Sequence, residues 1–178
     1  MKKNLFISIL LVVGIMLSCS KKSETTPTTP APNLTQGIYP AKGTITLTSG
    51  GVNYSMPMTN VQIITTETYS VILNAADTSL ITNFGTIVIQ INSPTSSGLT
   101  TGTYTIPSTT NVNMFTFMNK TETEYTASPT VSGTSGTISI TTLTSTSVQG
   151  TFSGTLVPLE NPSGQSITIT NGVINCTY

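Results

Sequence analysis

The sequence predicts an all-β protein: an antiparallel β-sandwich of roughly nine or ten strands, with a lipocalin-like barrel as the alternative. Three observations point there. Beyond residue 19 no window spaces apolar residues at helical intervals, whereas runs such as Thr44-Ile45-Thr46-Leu47-Thr48 alternate with the period of two that a half-buried strand requires. Turn signals rich in Gly, Asn and Pro separate these runs at spacings of about 8–15 residues, as in sandwiches and barrels. Charged residues make up only 7% of the chain, against about 25% in ordinary soluble domains. Thr and Ser take their place, and Thr supplies a hydroxyl together with the β-branch that suits extended backbone.

The chain opens on a different chemistry. Lys2 and Lys3 precede an apolar run from Leu5 to Leu17, broken by Ser8 and Gly14 and closed by Ser18-Cys19. A secretory signal has this layout. The run is roughly 13 residues, about 20 Å as a helix, too short for a hydrocarbon layer of about 30 Å. Residues 1–18 are therefore expected to be removed. Met16-Leu17-Ser18-Cys19 resembles the lipobox of bacterial lipoproteins. That resemblance implies that Cys19 is acylated and becomes the mature N-terminus. The membrane, reached through a lipid anchor, is the partner this implies, and the outer membrane of the cell envelope is the expected location.

Residues 19–40 are expected to form a tether, because Ser20 to Asn33 is dominated by Pro, Thr and Ser with no apolar periodicity. Residues 41–178 are expected to be the folded domain. Its first hairpin turns at Gly50-Gly51, which sets Leu47 opposite Tyr54 and Ile45 opposite Met56 on one face. Strands are then expected at Val61 to Thr65, Tyr69 to Ala75, Gly85 to Ile91, Gly102 to Ile106 (stopped by Pro107) and Val112 to Met118. Glu122 to Ala127 reads as a polar strand or loop. A second hairpin runs out along Gly136 to Thr141, turns over Thr144 to Ser147 and returns along Val148 to Phe152. Its glycines leave room for an aromatic ring or mark a bulge. Asn171-Gly172 is a strong type I′ turn signal. It predicts a last hairpin with Ile169 opposite Ile174 and Ile167 opposite Cys176.

Gly50-Gly51-Val52-Asn53-Tyr54, Gly102-Thr103-Tyr104, Gly136 to Thr141, Val148 to Phe152 and Ile169-Thr170-Asn171-Gly172 together resemble a family of small Bacteroidota lipoproteins with an uncharacterised, β-sandwich-like domain of unknown function. The likeness covers about Ala41 to Tyr178 and implies no catalytic residues. Lipoproteins of that phylum that reach the cell surface often carry an acidic run after the Cys. Here Ser20-Lys21-Lys22-Ser23-Glu24 is basic, so the face of the membrane is left open.

Composition also excludes several activities. The chain has no His, which removes a Ser–His–Asp triad, a Cys–His pair and a His metal site. From Tyr39 onward only Lys42 and Lys120 oppose Glu67, Asp77, Glu122, Glu124 and Glu160, so a phosphate-neutralising, nucleic-acid-binding surface is not expected. Glu122 and Glu124 would share a face if their segment were a strand. They could then serve as a cation site or an acid–base pair, against the plainer reading of a solvated edge beside Lys120. Tyr54, Tyr69, Tyr104 and Tyr125 are candidate sugar platforms, but alternation places them at the core or its edge. Met114, Phe115, Phe117 and Met118 could line a barrel interior that holds an apolar molecule.

With Cys19 acylated, Cys176 is left single: a reactive thiol, or a small inward side chain of the last strand. A Cys19–Cys176 disulfide would require the lipobox to be coincidence. The resulting expectation is a non-enzymatic, lipid-anchored envelope protein, without cofactor or metal, with a binding or structural role. The alternatives are a module for a small apolar ligand or an adhesin- or pilus-like subunit that joins neighbours by strand addition. A protein or glycan partner is not specified by the residues.

Overall fold

A computed structural model describes residues 31–65, 69–77, 85–93, 98–108, 111–119 and 121–178. The expected signal segment, Cys19 and most of the tether lie outside these residues, as do Glu67 and Lys120. Among the described residues there are eleven strands and no helix: β1 (Gly37–Pro40), β2 (Lys42–Ser49), β3 (Val52–Ile64), β4 (Ser70–Asp77), β5 (Gly85–Asn92), β6 (Gly102–Ile106), β7 (Met114–Met118), β8 (Glu124–Ala127), β9 (Ser135–Leu143), β10 (Ser147–Pro158) and β11 (Ile167–Thr177).

Eight of them, β2-β3-β4-β5-β7-β8-β10-β11, pair in that order, and β11 pairs back to β2 to close an antiparallel barrel. The expectation of a two-layered sandwich is thus corrected to a closed barrel, which fits the barrel alternative better. The reason lies in two long strands. The first half of β3 pairs with β2 and its second half with β4. Likewise β10 pairs with β9 and β11 over most of its length, and then with β8 at Val157 and Pro158. Each long strand leaves one sheet and enters the other, and together they make the two corners that close the ring. β1 extends β2 along the same edge of β3, while β9 and β6 flare outward from β10.

The return strand of the first hairpin and the separate strand expected at Val61 to Thr65 are one continuous strand, β3. Tyr54, Met56 and Met58 are buried, then Val61 and Ile63. The parity changes because a bulge falls between Met58 and Asn60 in the pairing with β4. One extra residue flips every later side chain to the other face, and it does so where β3 turns the corner.

The same effect accounts for the C-terminal correction. β11 is a single strand, not a hairpin. Ile169 lies opposite Gly154 and Ser49, and Ile174 opposite Gly150 and Ile45. Asn171 adopts a left-handed backbone, φ 51°, inside a bulge against both neighbours. Asn is among the few side chains that tolerate this conformation. Gly172 follows because a Cβ there would stand 2.6 Å from the Phe152 ring.

The two other expected hairpins hold. Gly50 and Gly51 take φ 56° and 78°, as a type I′ turn requires. Leu47 pairs with Tyr54 and Ile45 with Met56, and all four are buried. In the β9–β10 hairpin the Thr144 amide donates to the Ser147 carbonyl across the turn, 3.0 Å. Gly150 sits at a bulge against β9, and Gly154 faces the ring of Phe115.

Inward side chains of both sheets fill the space between them. Ile45, Met56, Leu73, Ile87, Ile89, Phe115, Phe117, Ile138 and Leu156 have no more than trace exposure. Phe117 meets Tyr54 edge to face at 5.0 Å, and Phe115 meets Phe152 at 5.8 Å. Leu34 is also buried, and Gly37 to Pro40 form β1. The C-terminal end of the segment expected as tether therefore packs onto the barrel.

Candidate functional site

The strand β9 alternates inward Ile138 and Ile140 with outward Thr137, Ser139 and Thr141, and β2 alternates Ile45 and Leu47 with Thr44, Thr46 and Thr48. β6, β10 and β3 repeat the pattern. Antiparallel pairing then brings the outward residues into register. Thr103, Ser139, Thr151, Val173, Thr46 and Ser55 stand side by side across β6, β9, β10, β11, β2 and β3. Strands lie about 4.8 Å apart, so this row is roughly 24 Å long. A second row runs Thr142, Gln149, Asn175, Thr44, Pro57. Neither row contains an acid or a base. Lys42 and Asp77 stand at opposite ends of the face, the former opposite Thr177 and the latter on the rim below β3.

The Asn171 bulge divides this face into two shallow hollows. One, of about 530 Å³, is lined by Thr137, Ser139, Thr151, Ser153 and Val173; the other, of about 400 Å³, by Thr46, Thr48, Asn53, Ser55 and Asp77. Asn171 lines both. Its side chain is exposed, and it has no hydrogen-bond partner among the described residues. Thr48 donates to the Asn53 amide oxygen at 2.8 Å, and Thr142 to that of Gln149 at 3.3 Å. Hydroxyls and amides both give and accept hydrogen bonds without ionising. Apart from Asp77 at the rim of the second hollow and Lys42 at the end of the face, the groups presented here are neutral and polar.

The candidates named from sequence are dispersed. Tyr54 is buried, and Tyr69, Tyr104 and Tyr125 pack against the core. The last three are half-buried. Phe115 and Phe117 point inward while Met114 and Met118 lie half-buried on the opposite side of β7, so the four do not line one cavity. Glu124 begins β8, but Glu122 precedes it in a left-handed turn, φ 59°, and the two do not share a strand face. With Glu160 they border a hollow of about 190 Å³. No group of three His, Cys, Asp or Glu among the described residues is placed to hold a metal ion. Cys176 is 1% exposed, and burial pushes its thiol from 9.0 up to about 11. It is the inward side chain of the last strand.

Sequence reading passed over a buried polar cluster at one end of the barrel. Ser70 donates to the Asn92 side-chain oxygen, and the Asn92 amide donates to the Val112 carbonyl. Asn113, 1% exposed, accepts from the Asn92 backbone at 3.0 Å and donates to the Thr105 carbonyl at 3.3 Å. Asn113 therefore ties β5 in one sheet to β6 in the other. Its partners are distant in sequence, and only the fold assembles them. No family model, curated protein or solved structure matches the chain.

Proposed function

We propose that the protein is a lipid-anchored component of the bacterial cell envelope, with a non-enzymatic binding or structural role. One observation carries the reading: a basic start, a short apolar run and Met16-Leu17-Ser18-Cys19, in the order that a lipoprotein signal requires. Cys19 takes the lipid, and the Pro- and Thr-rich stretch after it spaces the barrel from the bilayer. Two or more acyl chains hold a protein stably, whereas one holds it only marginally. The charge-poor rows of hydroxyls and amides across β6, β9, β10, β11, β2 and β3 support a role in binding or structure.

Storage of an apolar molecule inside the barrel has less support, because Phe115, Phe117 and Tyr54 occupy the interior themselves. Fractionation tests the anchor. The full chain is expected in the membrane fraction and Cys19→Ala in the soluble one. A Cys19→Ala protein that stays with the membrane refutes the anchor.

A further inference from the structure

We propose that the outer face of the six strands β6, β9, β10, β11, β2 and β3 binds an uncharged polysaccharide, with the Asn171 amide at its centre. This deepens the binding role proposed above and is independent of the anchor. The rows Thr103-Ser139-Thr151-Val173-Thr46-Ser55 and Thr142-Gln149-Asn175-Thr44-Pro57 present hydroxyls and amides without an acid or base. A sugar hydroxyl also donates and accepts at once, so it can pair with each of these groups whichever way it is turned. An anionic polymer would find no cation in the rows, and a cationic one no anion. Asp77 at the rim of the smaller hollow adds to this against an anionic chain, and the neutral rows favour an uncharged one.

The shape agrees. Each hollow, about 530 and about 400 Å³, lies within the usual range for small-molecule sites. They adjoin at Asn171, so consecutive units of one chain can occupy both. The left-handed backbone fixes where this amide stands, and no described neighbour engages it. Val173, 43% exposed, gives the first row an apolar contact for the C–H side of a sugar ring. Six strands twist by roughly 100° in all. A flexible polymer can follow that surface, and a flat crystalline lattice such as ice cannot. The two rows hold no aromatic residue for stacking, so one site binds on the order of millimolar, and avidity comes from several copies of the protein on one polymer.

The test is native electrophoresis of the full chain in neutral detergent, through gels containing galactomannan, dextran, xyloglucan or the uronate polymer alginate. At least one neutral polymer is expected to slow the protein twofold or more, and alginate to leave it unchanged. Asn171→Gly keeps the left-handed backbone and removes the amide. Thr151→Glu puts a charge in the middle of the first row. Both are expected to restore free mobility while retaining the parent melting temperature within a few degrees. The proposal is overturned by equal mobility in all four gels, by retardation in alginate alone, or by neutral-polymer retardation that survives both substitutions. Freezing-point hysteresis without polymer binding would assign the face to ice instead. Fractionation of Cys19→Ala reads the anchor separately.

Discussion

Phe115 reaches across the barrel from β7 and lays its ring in the space left by the missing side chain of Gly154 on β10. A Cβ on Gly154 would stand 2.7 Å from that ring, and one on Gly136 of β9 would stand 2.6 Å from it. The two glycines and the ring form one joint between the two sheets. Gly136→Ala is expected to destabilise the protein by about 1–3 kcal/mol through overpacking. Phe115→Leu in the same chain should recover part of that loss, so that the two changes are not additive. Urea unfolding of both single variants and the double variant measures the coupling. Strict additivity would mean that the ring does not constrain Gly136.

Asn171 carries a conformational demand that can be separated from its chemistry. Asn171→Val forces a β-branched residue to φ 51° and should cost about 1–2 kcal/mol. Asn171→Gly should change stability by a few tenths of a kcal/mol at most. Thermal melts distinguish the two. Equal losses would place the role of Asn171 in a contact and not in its backbone.

Asn113 clamps β5 to β6 through two hydrogen bonds, to the Asn92 amide and from its own amide to the Thr105 carbonyl. Asn113→Leu keeps the branched heavy-atom skeleton and leaves both partners unsatisfied. The expected loss is about 1–3 kcal/mol for each group stranded away from water. Hydrogen exchange should show faster opening at Thr103 and Thr105 of β6 than in β10. Unchanged protection in β6 would show that the strand is held by its pairing with β9 alone.

Burial raises the Cys176 thiol from 9.0 to about 11. Tyr178 is raised from 10.0 to about 12, first by burial and then by Cys176 and Tyr39 beside it. The unfolded chain releases both protons earlier. The stability these groups contribute is thus fully present below pH 9 and is lost as pH rises through about 11 and then about 12. Urea midpoints should hold between pH 7 and 9 and fall above it, less steeply in Cys176→Ala. Iodoacetamide at pH 8 should leave Cys176 unmodified until denaturant is added. Rapid alkylation of the folded protein would contradict its burial.

Much of the barrel is legible in the sequence because alternation is a local signal. Leu47 and Tyr54 face each other across Gly50-Gly51, and the residue types of the turn require it. Parity is where the reading fails. At Thr59-Asn60 and at Asn171-Gly172 the apolar residues move from one parity to the other. A two-residue turn and a one-residue bulge produce the same change in the pattern. Neighbouring strands decide between them: β11 runs straight because β10 and β2 pair with it on both sides of Asn171. Barrel closure also has little local signature, since β8 meets β10 through Val157 and Pro158 alone. The hydroxyl face was visible only as composition. The register that aligns Thr103 with Ser55 through four intervening strands is a property of the sheet.

The most direct measurement is the intact mass of the protein extracted from native envelopes. The expected species begins at Cys19, lacks residues 1–18 and carries the added mass of its acyl chains. A polypeptide that still begins at Met1 and bears no lipid would contradict the anchor and the envelope location built on it.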